Sequence, residues 1–81
     1  MDPPPLIYHL DHNSVMVINS TGRMRQLFVP FKAKVLEPTI CIKEGSWVYI
    51  EEVQPHSKHR LLYRVGNNWW PYYIFRLEIH F

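Results

Sequence analysis

Apolar and polar residues alternate along most of this chain, and a period of two residues is the pattern of a half-buried β-strand. In the segment 31–35, three apolar residues alternate with Lys32 and Lys34. The same alternation recurs at 60–65 and at 75–81. Successive side chains of a strand point to opposite faces, so each segment predicts one face toward a core and one toward solvent.

Turn-forming residues separate the alternating segments. The sequence Asn-Ser-Thr-Gly at 19–22 predicts the turn of a hairpin over 15–29, and Gly-Asn-Asn at 66–68 predicts a second hairpin. The segment 6–10 is either a short strand or a coil that packs across the other strands. The alternation shifts by one residue at 51–53, as a β-bulge would cause.

The composition favours an all-β fold. The 81 residues include one alanine, the best helix former, and 12 aromatic residues. A chain of this length forms one small domain, and we predict a proline-rich flexible lead-in at 1–5 and a single domain over 6–81. Five aromatic residues occupy alternating positions that predict the core: Phe28, Phe31, Tyr63, Phe75 and Phe81.

The single cysteine, Cys41, excludes an intrachain disulfide. It lies in a predicted short apolar strand, 40–42, and is therefore predicted as a core residue. A lone thiol fits a reducing compartment, from which we predict a cytoplasmic location. No apolar run approaches the ~20 residues that a membrane helix needs, so no membrane partner is expected.

The second half of the chain has the order of elements of a known small barrel. An apolar strand and a Lys-Glu-Gly turn at 43–45 precede a longer strand, and a polar loop at 54–59 precedes the next one. The turn at 66–68 is followed by Trp-Pro-Tyr-Tyr-Ile-Phe at 70–75 and by a last strand. From residue 39 to 79 this order resembles the Src-homology-three-like superfamily. The resemblance implies a small barrel of five to seven short antiparallel strands, to which the N-terminal hairpin is an addition.

The sequence departs from the proline-peptide binders of that superfamily. Where those proteins have an acidic loop, the matching region 28–39 has Lys32 and Lys34 and a single acid. Their paired tryptophans begin the third strand, whereas Trp69 and Trp70 follow the hairpin turn. The resemblance therefore implies the fold and not a proline-peptide groove.

Catalytic and metal-binding chemistry have little support in the sequence. It contains no glycine-rich phosphate loop and no serine nucleophile elbow, so we expect a protein that is not an enzyme and has no cofactor. His56 and His59 are three residues apart, as are His9 and His12. A zinc site usually needs three or four ligands, and we therefore interpret these histidines as solvated loop residues.

Protein–protein interaction is the function that the sequence favours. Tryptophan and tyrosine anchor many interfaces, and the partner would be an unidentified protein, peptide or second copy. The alternative is that the N-terminal segment covers the same residues as internal core. Six aromatic residues are not explained by the predicted core and form the predicted interaction patch: Trp47, Tyr49, Trp69, Trp70, Tyr72 and Tyr73.

Binding of single-stranded nucleic acid or RNA is the second hypothesis. Cations that alternate with apolar residues on strands could share an outer face beside aromatic stacking platforms. The net charge of only +2 argues against it, because phosphate binding usually requires a larger basic excess. Five cations define this predicted face: Arg23, Arg25, Lys32, Lys34 and Arg64.

Overall fold

The computed structural model describes residues 5–39 and 42–80, which form nine short strands and one 3₁₀ turn without an α-helix. The all-β prediction is confirmed, but the predicted count of five to seven strands is too low for this part of the chain. Three predictions fall partly or wholly outside the described residues: residues 1–4 of the predicted lead-in 1–5, Ile40 and Cys41 of the predicted strand 40–42, and the predicted core residue Phe81. The strands are β1 (Leu6–Asp11), β2 (Ser14–Ile18), β3 (Met24–Phe28), β4 (Phe31–Val35), β5 (Trp47–Ile50), β6 (Glu52–His56), β7 (Arg60–Val65), β8 (Asn68–Pro71) and β9 (Phe75–Leu77).

The strands form three antiparallel sheets of three strands each. The N-terminal sheet has the order β1-β2-β3, the middle sheet β5-β4-β9 and the C-terminal sheet β6-β7-β8. The 3₁₀ turn, Tyr72–Ile74, connects β8 to β9. In the described part of the chain, no helix has the length and apolar character needed to cross a bilayer.

The predicted N-terminal hairpin is present as β2 and β3. Its turn is stabilised by the Asn19 side chain, whose Oδ1 accepts hydrogen bonds from the amides of Thr21 at 3.1 Å and Arg23 at 2.9 Å. Gly22 has a φ of 85°, a conformation that favours glycine. The segment 6–10 is a strand rather than a coil, because β1 pairs along β2 and completes the N-terminal sheet.

The three sheets are not closed into a barrel, which corrects that part of the fold prediction. Pro71 ends β8, and proline has no amide hydrogen to continue a ladder. The 3₁₀ turn then separates β8 from β9, which pairs with β4 instead. The hydrogen-bonded ladder therefore does not pass from the C-terminal sheet back to the middle sheet.

One core joins all three sheets. The predicted core residues Phe31, Tyr63 and Phe75 are buried, but Phe28 is 63% exposed, so its assignment to the core is wrong. Phe28 lies on the outer face of the edge strand β3, whereas Leu27 on the same strand packs against the core. The core consists of Ile7, Val15, Val17, Phe31, Ala33, Val35, Ile50, Val53, Leu61, Tyr63, Ile74 and Phe75.

The break in alternation near residue 51 is confirmed. In an unbroken strand, residues three apart would point to opposite faces. Ile50 and Val53 are nevertheless both fully buried, and Glu51 lies between β5 and β6. The amide of Glu51 donates a hydrogen bond of 2.9 Å to the carbonyl of Arg64, which keeps the interrupted strand against β7. The break turns the chain from the middle sheet into the C-terminal sheet without exposing either apolar residue.

Candidate interaction surface

Two aromatic residues and three cations share the outer face of the middle sheet. Register places Lys34 opposite Trp47 and also opposite Arg76, and it places Lys32 opposite Tyr49. Residues directly opposite in a sheet point to the same side. We call this surface the Trp47 face, and its residues are Lys32, Lys34, Trp47, Tyr49 and Arg76.

The Trp47 ring is flanked by positive charge. The Nζ of Lys32 lies 5.0 Å from the ring centroid, and the Nζ of Lys34 lies 5.9 Å from it. A cation over an exposed indole contributes roughly 0.5–1 kcal/mol, so both ammonium groups favour this arrangement. Lys32 also lies 3.8 Å from a carboxylate oxygen of Glu78, which neutralises part of its charge. The result is an indole surface with an excess of cations beside it.

The aromatic residues of this face are exposed to solvent, 50% for Trp47 and 58% for Tyr49. The alternation within β5 causes this, because Ile50 faces the core. The alternative that the N-terminal segment covers this face is wrong. That segment contacts β6 of the C-terminal sheet, where the amide of Val53 donates a hydrogen bond of 3.0 Å to the carbonyl of His12.

The two adjacent tryptophans of β8 point to opposite sides. Trp70 lies opposite Tyr63 in register, packs against the core and has a buried indole nitrogen. Trp69 lies opposite Arg64 and is half-buried on the outer face of the C-terminal sheet. Neither residue belongs to the Trp47 face, and the inward position of Trp70 corrects its place in the predicted patch.

The two tyrosines of the 3₁₀ turn are also separate from the Trp47 face. Tyr72 packs against the core, with its ring centroid 6.4 Å from that of Tyr63. Tyr73 is 51% exposed, and its hydroxyl lies 3.0 Å from the Nδ1 of His59. The six residues predicted as one aromatic patch are therefore divided: Trp47 and Tyr49 share one face, and the rings of Tyr72 and Tyr73 contact each other with centroids 5.7 Å apart.

The predicted nucleic-acid face is dispersed in the same way. Lys32 and Lys34 share a face, but Arg25 donates a hydrogen bond to the carbonyl of His80. Arg23 is exposed in the turn that precedes β3. Arg64 is held on the C-terminal sheet by ion pairs with Glu51 at 3.6 Å and Glu52 at 3.4 Å and by a hydrogen bond of 2.8 Å to the Gly66 carbonyl.

The histidine pair of the 56–59 turn has a structural role in this geometry. The Nδ1 of His56 accepts hydrogen bonds from the amides of Lys58 at 3.2 Å and His59 at 3.1 Å, and the two imidazole rings stack with centroids 5.1 Å apart. Within residues 5–39 and 42–80, no three histidine, cysteine or acidic side chains are grouped as a metal site would require. These contacts stabilise the turn between β6 and β7.

A second exposed surface was not predicted from the sequence. The outer side of the N-terminal sheet carries large apolar residues, including Leu6 and Met24, which are 54% and 66% exposed. The sequences of β1 and β3 contain an indication of this surface. Each strand has bulky residues at both its odd and its even positions, so bulky residues lie on both faces of the sheet.

Comparison with protein-family models, curated proteins and solved structures found no match for this chain.

Proposed function

We propose that this chain is a non-enzymatic protein-interaction module that binds a partner peptide through the Trp47 face. One observation carries this proposal. Trp47 and Tyr49 are half-exposed on strand β5, and the ammonium groups of Lys32 and Lys34 lie within 6 Å of the indole centroid. Exposed tryptophan and tyrosine are the residues that most often anchor interfaces.

The same geometry defines the chemistry of the partner. An apolar or aromatic side chain would pack on Trp47 and Tyr49, and a neighbouring carboxylate would pair with Lys34 or Arg76. Within the described residues, neither Lys34 nor Arg76 forms an ion pair. The partner we propose is therefore an acidic peptide with at least one large apolar residue.

Two of the seven acidic residues, Glu51 and Glu52, are engaged in structural contacts. The Glu51 carboxylate accepts a hydrogen bond of 2.8 Å from the Gly66 amide and lies 3.6 Å from Arg64. Glu52 pairs with the same arginine and also accepts a hydrogen bond from Gln54 at 3.3 Å. These carboxylates stabilise the C-terminal sheet and its turn.

We also infer that residues 39–79 adopt the Src-homology-three-like arrangement. Its support is the order of the elements: the tight turn at Lys43–Gly45, the strands β5 to β8 and the 3₁₀ turn that follows Pro71. We place the protein in the cytoplasm because its single cysteine fits a reducing compartment.

Selection from a random peptide library displayed on phage tests the proposed function. We expect the immobilised protein to enrich peptides that combine acidic residues with an aromatic or large aliphatic residue. Trp47→Ala should lose this enrichment, because truncation of an anchor residue costs roughly 2 kcal/mol or more. Tyr73→Ala is the matched control, because Tyr73 is as exposed as Trp47 but lies outside the face. Peptides that bind Trp47→Ala and the unchanged protein equally would refute the proposal.

Single-stranded nucleic acid is the second candidate, and the position of Lys32 and Lys34 beside the Trp47 ring favours it. Cations beside a stacking platform are typical of single-strand binding. The dispersal of Arg23, Arg25 and Arg64 weakens this reading. Titration with a fluorescent oligothymidylate at two salt concentrations separates the candidates. If the three cations of the face each contact one phosphate, the logarithm of the binding constant should fall with the logarithm of the salt concentration with a slope of about −2. Oligonucleotide binding with such a slope, and its loss in Trp47→Ala, would favour nucleic acid over peptide.

A further inference from the structure

We propose that the outer face of the N-terminal sheet binds the same face of a second copy of this chain. Register aligns Leu6 with Ile18 and Met24, and Tyr8 with Met16. We call this surface the apolar face. Its residues are Leu6, Tyr8, Leu10, Met16, Ile18, Met24 and Phe28.

The exposed area of the apolar face is large for so small a protein. Its five most exposed members have exposed fractions between 45% and 66%. At about 200 Å² for a large exposed side chain, they present about 550 Å². The largest apolar patch of a typical monomer covers roughly 300–600 Å² and is often functional.

The area also matches what a symmetric dimer needs. Two such faces in contact would bury about 1,100 Å², which passes the roughly 1,000 Å² expected of a biological interface. In a two-fold dimer the same patch of each subunit forms the interface, so the patch must be complementary to a second copy of itself. An apolar sheet face meets this condition because it requires no opposite charge on the partner.

Polar groups on and beside the apolar face form hydrogen bonds within the chain, and one of them, Gln26, lies on this side of the sheet opposite Met16. Gln26 donates a hydrogen bond of 3.1 Å to the hydroxyl of Ser14, which donates one of 3.0 Å to the Asp11 carboxylate. At the other edge, the Arg60 guanidinium lies 5.5 Å from the ring centroid of Tyr8 and donates a hydrogen bond to the carbonyl of Ile7. Contact between two apolar faces therefore leaves these groups with their existing hydrogen bonds.

Both methionines of the sheet, Met16 and Met24, belong to the apolar face. Methionine side chains are flexible and fill irregular gaps, which suits the packing of two identical twisted sheets face to face. The dimer would leave the Trp47 face open, because that face lies on the middle sheet. The protein would then present two peptide-binding faces.

Sedimentation velocity from about 10 μM to about 1 mM, the range in which weak dimers dissociate, tests the proposal. We expect the unchanged protein to shift from the mass of one chain to that of two. Phe28→Glu should raise the dimer dissociation constant by at least about tenfold, because each dimer then carries two buried charges. Tyr49→Glu is the matched control: Tyr49 is 58% exposed, close to the 63% of Phe28, but lies on the other sheet, so this variant should still dimerise.

A second measurement identifies the surface directly. In protein with ¹³C-labelled methionine methyl groups, the resonances of Met16 and Met24 should shift on dilution while the Trp47 indole resonance stays constant. If Phe28→Glu fails to fold by circular dichroism, Met24→Glu replaces it, since Met24 is 66% exposed. A protein that stays monomeric at about 1 mM overturns the proposal. So does equal weakening by Phe28→Glu and Tyr49→Glu, or a monomer that binds phosphatidylcholine vesicles through the apolar face.

Discussion

The guanidinium of Arg60 donates a hydrogen bond of 2.6 Å to the main-chain carbonyl of Ile7, which joins β7 to β1 across 53 residues of sequence. The same guanidinium lies 5.5 Å from the ring centroid of Tyr8 and 5.9 Å from that of Tyr72. Arg60 has a φ of 71°, the left-handed conformation that is costly for residues other than glycine. The contacts of the side chain with the N-terminal sheet offset this backbone strain.

Replacement of Arg60 separates the two effects. We expect Arg60→Ala to lower the free energy of unfolding by about 1–2 kcal/mol, because a charged hydrogen bond is lost and the strain remains. Arg60→Gly should be more stable than Arg60→Ala by about 1 kcal/mol, since glycine adopts positive φ without strain. Urea unfolding measures both values, and Lys58→Ala in the same turn is the control. Equal stability of the glycine and alanine variants would show that the backbone at this position is not strained.

Tyr63 predicts a loss of stability in alkali. Its hydroxyl is buried without a hydrogen-bond partner in the described part of the chain, and burial, with a smaller effect from Tyr72, raises the pKa of Tyr63. Above the unfolded tyrosine pKa of about 10, the unfolded state releases a proton that the folded state keeps. Stability should therefore fall by about 1.4 kcal/mol for each further pH unit.

The variant Tyr63→Phe should lack this alkaline loss. At neutral pH we expect its free energy of unfolding to be unchanged or higher by up to about 1 kcal/mol, because the removed hydroxyl has no partner to lose. Tyr49→Phe is the control, since Tyr49 is 58% exposed whereas Tyr63 is buried. Urea unfolding compares the variants at pH 8 and near pH 11, which lie below and above the unfolded tyrosine pKa of about 10. A destabilised Tyr63→Phe at pH 8 would show that the hydroxyl is hydrogen-bonded.

The lowered pKa of Asp11 leads us to expect a loss of stability at acid pH. The Asn13 amide donates a hydrogen bond of 2.8 Å to its carboxylate, the Ser14 hydroxyl donates a second one, and both lower the pKa of Asp11. A lowered folded pKa contributes stability above the unfolded pKa, and this contribution is lost as the pH falls through the folded value. NMR titration of the carboxyl carbon should give a pKa below the usual aspartate range, and Ser14→Ala should raise it. An unchanged pKa in Ser14→Ala would show that the Ser14 hydroxyl does not lower the pKa of Asp11.

Local patterns predicted the strands well because alternation depends only on neighbouring residues. The segment 31–35 and the hairpin over 15–29 formed as expected, and Trp47 and Tyr49 face away from the core. Phe28 shows the limit of this reasoning. Both faces of β3 carry bulky residues, so the choice between Phe28 and Leu27 depended on which side the rest of the fold would cover.

The candidate site depended on register, which alternation does not determine. The approach of Lys32 and Lys34 to Trp47 follows from the pairing of β4 with β5 across a connection of 11 residues, 36–46. The inward position of Trp70 was partly accessible from the sequence. Adjacent residues of a strand point to opposite faces, so one of Trp69 and Trp70 had to face inward once the segment formed a strand.

The three tryptophans should differ in both stability and solvent exchange. Trp70 packs against the core opposite Tyr63, so we expect Trp70→Ala to lower the free energy of unfolding by about 3 kcal/mol. Trp47→Ala should change it by less than about 1 kcal/mol, because half of that side chain is already in solvent. In ¹H–¹⁵N spectra, the indole proton of Trp70 should exchange with solvent slowest of the three, since its nitrogen is buried, and that of Trp47 fastest. If Trp47→Ala destabilised the protein as much as Trp70→Ala, Trp47 would be part of the core. A loss of binding in the Trp47→Ala variant would then no longer indicate an interaction surface.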